Sequence, residues 1–248
     1  MKKKVNIFKI VLAVFLCIAC VSTLGLLLKP NSQTKQPANE NISSVNFSNL
    51  TYVAFGDSIT YGADYSNGYA QMANPYPKLV GQHLGLKSVV NKAVSGATLV
   101  ETPDLSHILA KITSYSGSAD IISVMGGVND YARLNPLGKI TDTTISTIYG
   151  SLNYIADYLT TKYPNSFIFF MTPYKMARYY EPGYQLYDVA NAVKEVGNKY
   201  NIPVLDMYNY GNYELEYTDS DSDGIHPNQD FVITYTAPQI VNFIRDNI

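Results

Sequence analysis

Five short apolar runs, spaced so that a helix fits between each pair, constrain this chain more than any other feature. They read "LTYVAF" at residues 50–55, "SVVNKAV" at 88–94, "ADIISVMGG" at 119–127, "FIFFMTP" at 167–173 and "PVLDMY" at 203–208. A strand with one wet face alternates apolar and polar residues, whereas a nearly continuous apolar run suits a strand covered on both faces. Helical periodicity fills the intervals. In 141–162, Ile145, Ile148, Leu152, Ile155 and Leu159 follow one face, with Thr141 or Asp142 placed to cap the start, and Val189, Val193, Val196 and Tyr200 repeat the pattern further on. Strand and helix in alternation predict an α/β fold, a three-layer α/β/α arrangement around a five-stranded, mostly parallel sheet. Sheets of this kind bind ligands beyond the carboxyl ends of their strands, so functional residues are expected directly after the apolar runs.

The N-terminal part follows a different pattern. Lys2, Lys3, Lys4 and Lys9 precede an unbroken apolar run from Ile10 to Leu28, 19 residues long and sufficient to span a bilayer. The lysines belong on the cytoplasmic side, which places the remainder outside. Residues 1–29 are therefore expected to be an uncleaved signal-anchor. No A-x-A-like site follows the run, although cleavage to a secreted form and acylation at Cys20 are the alternatives. Residues 30–48, rich in Asn, Ser and Gln, read as a flexible polar linker, and residues 49–248 as one folded domain. Both cysteines, Cys17 and Cys20, lie in the apolar segment. The domain beyond it thus has no thiol for a disulfide, a thiolate nucleophile or a Cys-ligated zinc. From residue 49 onward 12 Lys and Arg face 19 Asp and Glu, a balance that argues against nucleic acid as a partner.

After the first apolar run comes "GDSIT", with Ser58 at the strand end; after the second, "VSGAT", with Gly96; after the third, "GGVND", with Asn129. Read singly, each is also an ordinary turn or cap residue. Together they fall on the one sheet edge where ligands bind. Near the C-terminus "DSDSDGIHP" supplies Asp223 and His226 in D-x-x-H spacing. A serine hydroxyl needs an adjacent base, and that base needs a third group to hold its tautomer. His226 suits the role better than His83 or His107, which lie within the helical patterns "PKLVGQHLG" and "DLSHILAKI".

In order and separation these blocks resemble the SGNH, or GDSL, hydrolases: "GDSIT" with Ser58, "NKAVSG" with Gly96, "GGVND" with Asn129 and "DGIHP" with His226, across residues 51–228. The resemblance implies a flavodoxin-like hydrolase fold and an esterase in which Ser58 attacks an ester carbonyl, His226 takes its proton and Asp223 orients His226. It also implies an oxyanion hole made by the Ser58 and Gly96 backbone N–H groups with the Asn129 side chain.

The same C-terminal stretch matches the opening of a calcium loop, with Asp219, Asp221 and Asp223 before Gly224. Its seventh and ninth positions would then be Ile225 and Pro227, and flanking helical periods are missing, so no metal and no cofactor is expected. The expected substrate is a small-molecule or glycan ester carrying a short acyl group such as acetyl. Lysophospholipase, thioesterase and O-acyltransferase activity use the same chemistry, and a non-catalytic glycan-binding module is the alternative from another class. Tyrosines of "PYKMARYYEPGYQLY", 173–187, could stack on sugars or pack the loop against the domain.

Overall fold

The computed structural model describes residues 45–103, 106–181, 183–209 and 223–248. The apolar run of residues 10–28, with Cys17 and Cys20, and the acidic pair Asp219 and Asp221 lie outside the described residues. Among the described residues no helix is long and apolar enough to cross a membrane. Residues 45–248 form one compact unit. It takes in part of the polar tether: Phe47–Asn49 make a 3₁₀ turn capped by the Asn46 side chain, and Phe47 and Leu50 pack against the core.

Each apolar run contributes a strand to a single sheet: β1 (Thr51–Gly56), β2 (Ser88–Asn91), β3 (Ile121–Met125), β4 (Phe167–Met171) and β5 (Val204–Leu205). Their order is β2-β1-β3-β4-β5 and every pairing is parallel. Alternate side chains serve two cores. Val53, Phe55, Ile122, Val124, Ile168 and Phe170 pack on one face with α3 (Ile108–Ser114), α5 (Ile148–Lys162) and α6 (Leu186–Tyr200). Tyr52, Ala54, Ile121, Met125, Phe169 and Met171 pack on the other with α2 (Tyr76–Leu84) and α8 (Ala237–Asn247). Two covered faces explain the unbroken apolar runs, and each fully buried large side chain contributes about 1.5–3 kcal/mol of transfer free energy. The predicted three-layer α/β/α architecture is the one observed.

Three short elements complete the frame: α1 (Ser58–Tyr61) after β1, α4 (Val128–Ala132) after β3, and α7 (Gln229–Phe231), which runs through a π-turn at Val232–Thr236 into α8. Chain order reverses between β1 and β3, since β2 flanks β1 on one side and β3 on the other. The crevice beyond the carboxyl ends of these strands is the topological switch point, where sheets of this order bind ligands.

The long helix expected from residue 141 begins at Ile148 instead, with Thr147 accepting from the Gly150 N–H at 3.1 Å. Asp142 stays outside the helix because its carboxylate has other partners, Lys139 N at 3.0 Å and Thr147 Oγ1 at 2.9 Å. Asn153 then holds the carbonyls of Ile140 and Asp142, at 3.0 and 2.9 Å, so residues 139–147 lie folded over the first turns. A glycine is needed at position 150, where any Cβ would strike the Thr144 carbonyl.

Candidate active site

β1 ends in a sharp turn that only glycine permits at position 56, because a Cβ there would collide with the Thr60 side chain and stand 2.7 Å from the Met125 carbonyl oxygen. Asp57 then caps α1, its Oδ1 accepting from Ile59 N at 3.0 Å. Ser58 is the first residue of that helix, so its N–H has no intrahelical acceptor and faces forward from a helix N-terminus.

The D-x-x-H spacing is explained by a tight turn. Asp223 Oδ1 accepts from the backbone N–H groups of Ile225 and His226, at 2.9 and 2.8 Å, while Oδ2 meets His226 Nδ1 at 2.8 Å. Gly224 supplies the left-handed backbone between them, φ +76°. The loop after β4 fixes this turn from outside: Arg178 Nε donates to the Asp223 carbonyl at 2.7 Å, and Ala177 N to the Gly224 carbonyl at 2.9 Å. On the far side of the imidazole, His226 Nε2 lies 2.7 Å from Ser58 Oγ. Residues 168 positions apart in the chain are thus in direct hydrogen-bond contact. With Nδ1 protonated toward Asp223, Nε2 is free to accept the serine proton. Burial pushes the Asp223 carboxyl up, but the His226 N–H, its ring and the Ile225 N–H outweigh it and hold the group below the usual carboxylate range. It therefore remains an anion that can stabilise an imidazolium.

Gly96 and Asn129 meet through the loop that follows β2. That loop continues alongside β1, with Val94 N donating to the Gly56 carbonyl at 3.1 Å, and turns at Gly96 with φ +79°. Asn129 Nδ2 donates to the Ala97 carbonyl at 3.0 Å, and the amide carries a second N–H for another acceptor. The neighbouring Asp130 was legible in "GGVND" only as turn or cap chemistry. In the fold it is fully buried and anchors the loop, Oδ2 accepting from Leu99 N at 2.8 Å and Oδ1 from Val100 N and Asn135 Nδ2, both at 3.0 Å. Arg133 Nη1 adds a bond to the Gly96 carbonyl at 2.7 Å. One short helical segment and the residue that caps it therefore hold the glycine loop at Gly96, Ala97, Leu99 and Val100.

Two further residues escaped sequence reasoning. Asp57 is buried, and among the described residues its Oδ2 has no hydrogen-bond partner. Burial first, and then the negative charge of Asp130, push its carboxyl up to about 7, against an ordinary value of 3.8. Tyr69 reaches the site from the ribbon formed by Ala63–Asp64 and Ala70–Gln71, and its hydroxyl donates to Asp223 Oδ2 at 3.2 Å. The one signal for it was Asn67-Gly68, a hairpin-type turn dipeptide just before it. The other histidines stand apart from this group: His83 is exposed on α2, and His107 precedes α3 with Nε2 3.7 Å from Glu101 Oε1. Of the loop tyrosines, Tyr174 is buried with its hydroxyl on Thr236 Oγ1 at 2.8 Å, Tyr180 packs on Tyr131, and Tyr184 bonds the Asn135 carbonyl at 2.6 Å; Tyr179 is exposed.

Comparison with known proteins bears on the family and the fold. The GDSL-like lipase/acylhydrolase family model matches residues 54–230, from within β1 to just past His226. None of the curated proteins matches the chain. Among solved structures, a protein from Lactobacillus plantarum is 24% identical with a TM-score of 0.70, covering 82% of this chain and 99% of its own. A possible lipase from Chitinophaga pinensis is 23% identical with a TM-score of 0.65, covering 79% and 98%. A carbohydrate acetylesterase family member from Sinorhizobium meliloti is 16% identical with a TM-score of 0.57, covering 79% and 98%. At these identities the neighbours establish the fold, and the family match spans most of the folded unit. The chain belongs to the GDSL-like lipase/acylhydrolase family and is a hydrolase of ester bonds.

Proposed function

We propose that Ser58, His226 and Asp223 are the catalytic triad of a short-chain esterase that removes small acyl groups, acetyl foremost, from carbohydrate or small-molecule esters. The observation that carries this reading is the continuous chain from Ser58 Oγ through His226, at 2.7 and 2.8 Å, to an ionised Asp223. Ser58 Oγ attacks the ester carbonyl carbon while its proton passes to His226 Nε2. The carbonyl oxygen becomes an oxyanion facing the Ser58 and Gly96 N–H groups and the free amide hydrogen of Asn129. Collapse breaks the C–O bond to the alcohol, which takes the proton from His226, and leaves the acyl group on Ser58. Water, deprotonated by His226, releases the acid and restores the serine. Each preorganised donor to the oxyanion is worth roughly 10²–10³ in rate.

A sugar alcohol is favoured by the exposed tyrosine rings of the rim, Tyr65, Tyr69 and Tyr179, whose flat apolar faces and polar tips suit saccharide surfaces. The acetylesterase name of the Sinorhizobium meliloti neighbour points the same way. Asp223, the described member of the possible calcium loop, has its oxygens committed to His226, Ile225 and Tyr69, which favours the triad over a cation. For location, the lysine-flanked apolar run of residues 10–28 supports a membrane-anchored enzyme with its site outside the cell, testable by protease shaving of intact cells.

The test of function is hydrolysis of 4-nitrophenyl acetate, butyrate and octanoate, and of an acetylated glycan, by the wild type beside Ser58→Ala. Turnover that falls beyond butyrate and vanishes in a folded Ser58→Ala protein is the expected outcome. Activity retained by Ser58→Ala overturns the triad, and a preference for octanoate overturns the short-chain assignment.

A further inference from the structure

Tyr69 lies outside all four family blocks, yet it touches both members of the catalytic acid–base pair. Its hydroxyl donates to Asp223 Oδ2 at 3.2 Å, the same oxygen that His226 Nδ1 meets at 2.8 Å. Its ring meets the imidazole of His226 edge-on, with centroids 5.3 Å apart and planes at 71°.

The backbone bears the cost of that placement. Tyr69 has φ +64°, left-handed backbone in which a residue with a Cβ is strained. Such strain persists only where surrounding structure holds it, and it clusters at functional sites. Burial of the ring does not explain it, because Tyr69 is 47% exposed. Local bonds hold the conformation: Tyr69 N donates to the Asp64 carbonyl at 2.7 Å, Asp64 Oδ1 accepts from Ser66 N at 3.0 Å, and the Tyr65 ring packs edge-on against Tyr69 at 5.7 Å. The ribbon springs directly from the nucleophile helix. Gly62 caps α1, its carbonyl accepts from Met72 N at 2.7 Å, and Gln71 Nε2 bonds the Tyr61 carbonyl at 2.8 Å. The chain therefore runs from Ser58 through the ribbon to Tyr69 and closes on the carboxylate of Asp223.

We propose that Tyr69 is a positioning residue for the esterase: its hydroxyl fixes the rotation of the Asp223 carboxylate, and its ring shields the Asp223–His226 hydrogen bond from competing water. This rests on the triad reading above. Two backbone N–H groups hold Asp223 Oδ1, and the Tyr69 hydroxyl gives Oδ2 a donor besides His226 Nδ1, so both oxygens of the planar carboxylate are pinned and its rotation is fixed from both ends. A second donor on Oδ2 keeps one lone pair aimed at Nδ1 and the other occupied. His226 then stays in the tautomer and orientation that leave Nε2 facing Ser58.

The experiment compares kcat and KM for 4-nitrophenyl acetate in wild type, Tyr69→Phe, Tyr69→Ala, Asp223→Ala and the double variant Tyr69→Phe/Asp223→Ala, with Ser58→Ala as reference. Tyr69→Phe is expected to lower kcat about 5-fold, the scale of one partly exposed bond to a charged acceptor, with KM unchanged. Tyr69→Ala is expected to lower it further, because the ring shield is lost as well. On the Asp223→Ala background Tyr69→Phe is expected to have no effect, since the hydroxyl acts through that carboxylate. Wild-type kcat in Tyr69→Phe, a change confined to KM, or the same 5-fold loss persisting without Asp223 would each overturn the proposal. Activity in Ser58→Ala would instead overturn the triad on which it rests. Should Tyr69→Ala fail to fold, Tyr69→Phe, which keeps ring and backbone, decides the matter alone.

Discussion

Replacing Asp57 by asparagine should change how stability depends on pH, and by an amount large enough to measure. The unfolded chain releases the Asp57 proton near 3.8, while the folded protein holds it up to about 7. A group bound more tightly to its proton in the folded state stabilises the fold at low pH and loses that contribution as pH rises. Between pH 4 and pH 8 the wild type thus gives up about 1.4 kcal/mol for each of roughly three pH units, near 4 kcal/mol in all. The Asp57→Asn variant keeps the cap, because the amide oxygen can still accept from Ile59 N, and it does not titrate. Its amide nitrogen would leave donors unpaired where Oδ2 now stands, at a cost of about 1–3 kcal/mol that is the same at every pH. Urea unfolding of both proteins at pH 4, 6 and 8 separates the two effects. The stability of Asp57→Asn relative to wild type should rise by about 3–4 kcal/mol from pH 4 to pH 8, with most of the change below pH 7. A difference that stays constant with pH would refute the reasoning, because it would mean that Asp57 titrates alike in both states.

Asn129→Ala should lower kcat by about 10²–10³ with little change in KM, measured on 4-nitrophenyl acetate, since the proposed oxyanion hole draws on its second amide hydrogen; a loss seen in KM alone would contradict this proposal. Asp130→Ala leaves the buried Leu99 and Val100 N–H groups without acceptors and should cost about 2–4 kcal/mol by chemical denaturation, together with a fall in kcat as the Gly96 loop loosens.

The sheet was legible because its physics is local and repetitive. A strand buried on both faces is apolar at nearly every position, so Thr51–Gly56, Ile121–Met125 and Phe167–Met171 announce themselves without any neighbour, and the buried exception, Ser123, shares a hydrogen bond with the Tyr52 hydroxyl. The helix start at Ile148 was not legible. Thr141 and Asp142 offer the right cap chemistry, but Asp142 is diverted by Lys139 and Thr147, partners that only the folded loop supplies.

The candidate site divides along the same line. Ser58, Gly96, Asn129 and His226 stand directly after apolar runs or in a short spaced motif, so residue type and position sufficed to nominate them. Asp57 and Asp130 were visible as letters but not as buried carboxylates, since desolvation depends on what packs above a residue rather than on what adjoins it in the chain. Tyr69 lay further from reach, because its contact with Asp223 joins residues 154 positions apart. By itself the sequence determined the layers of the fold and nominated the candidate reacting groups, which follow from local periodicity and side-chain chemistry. The distances between those groups, the ionisation of Asp57 and Asp223, and the tyrosine beside the imidazole were decided by tertiary structure alone, because each is a property of atoms brought together across the sheet edge.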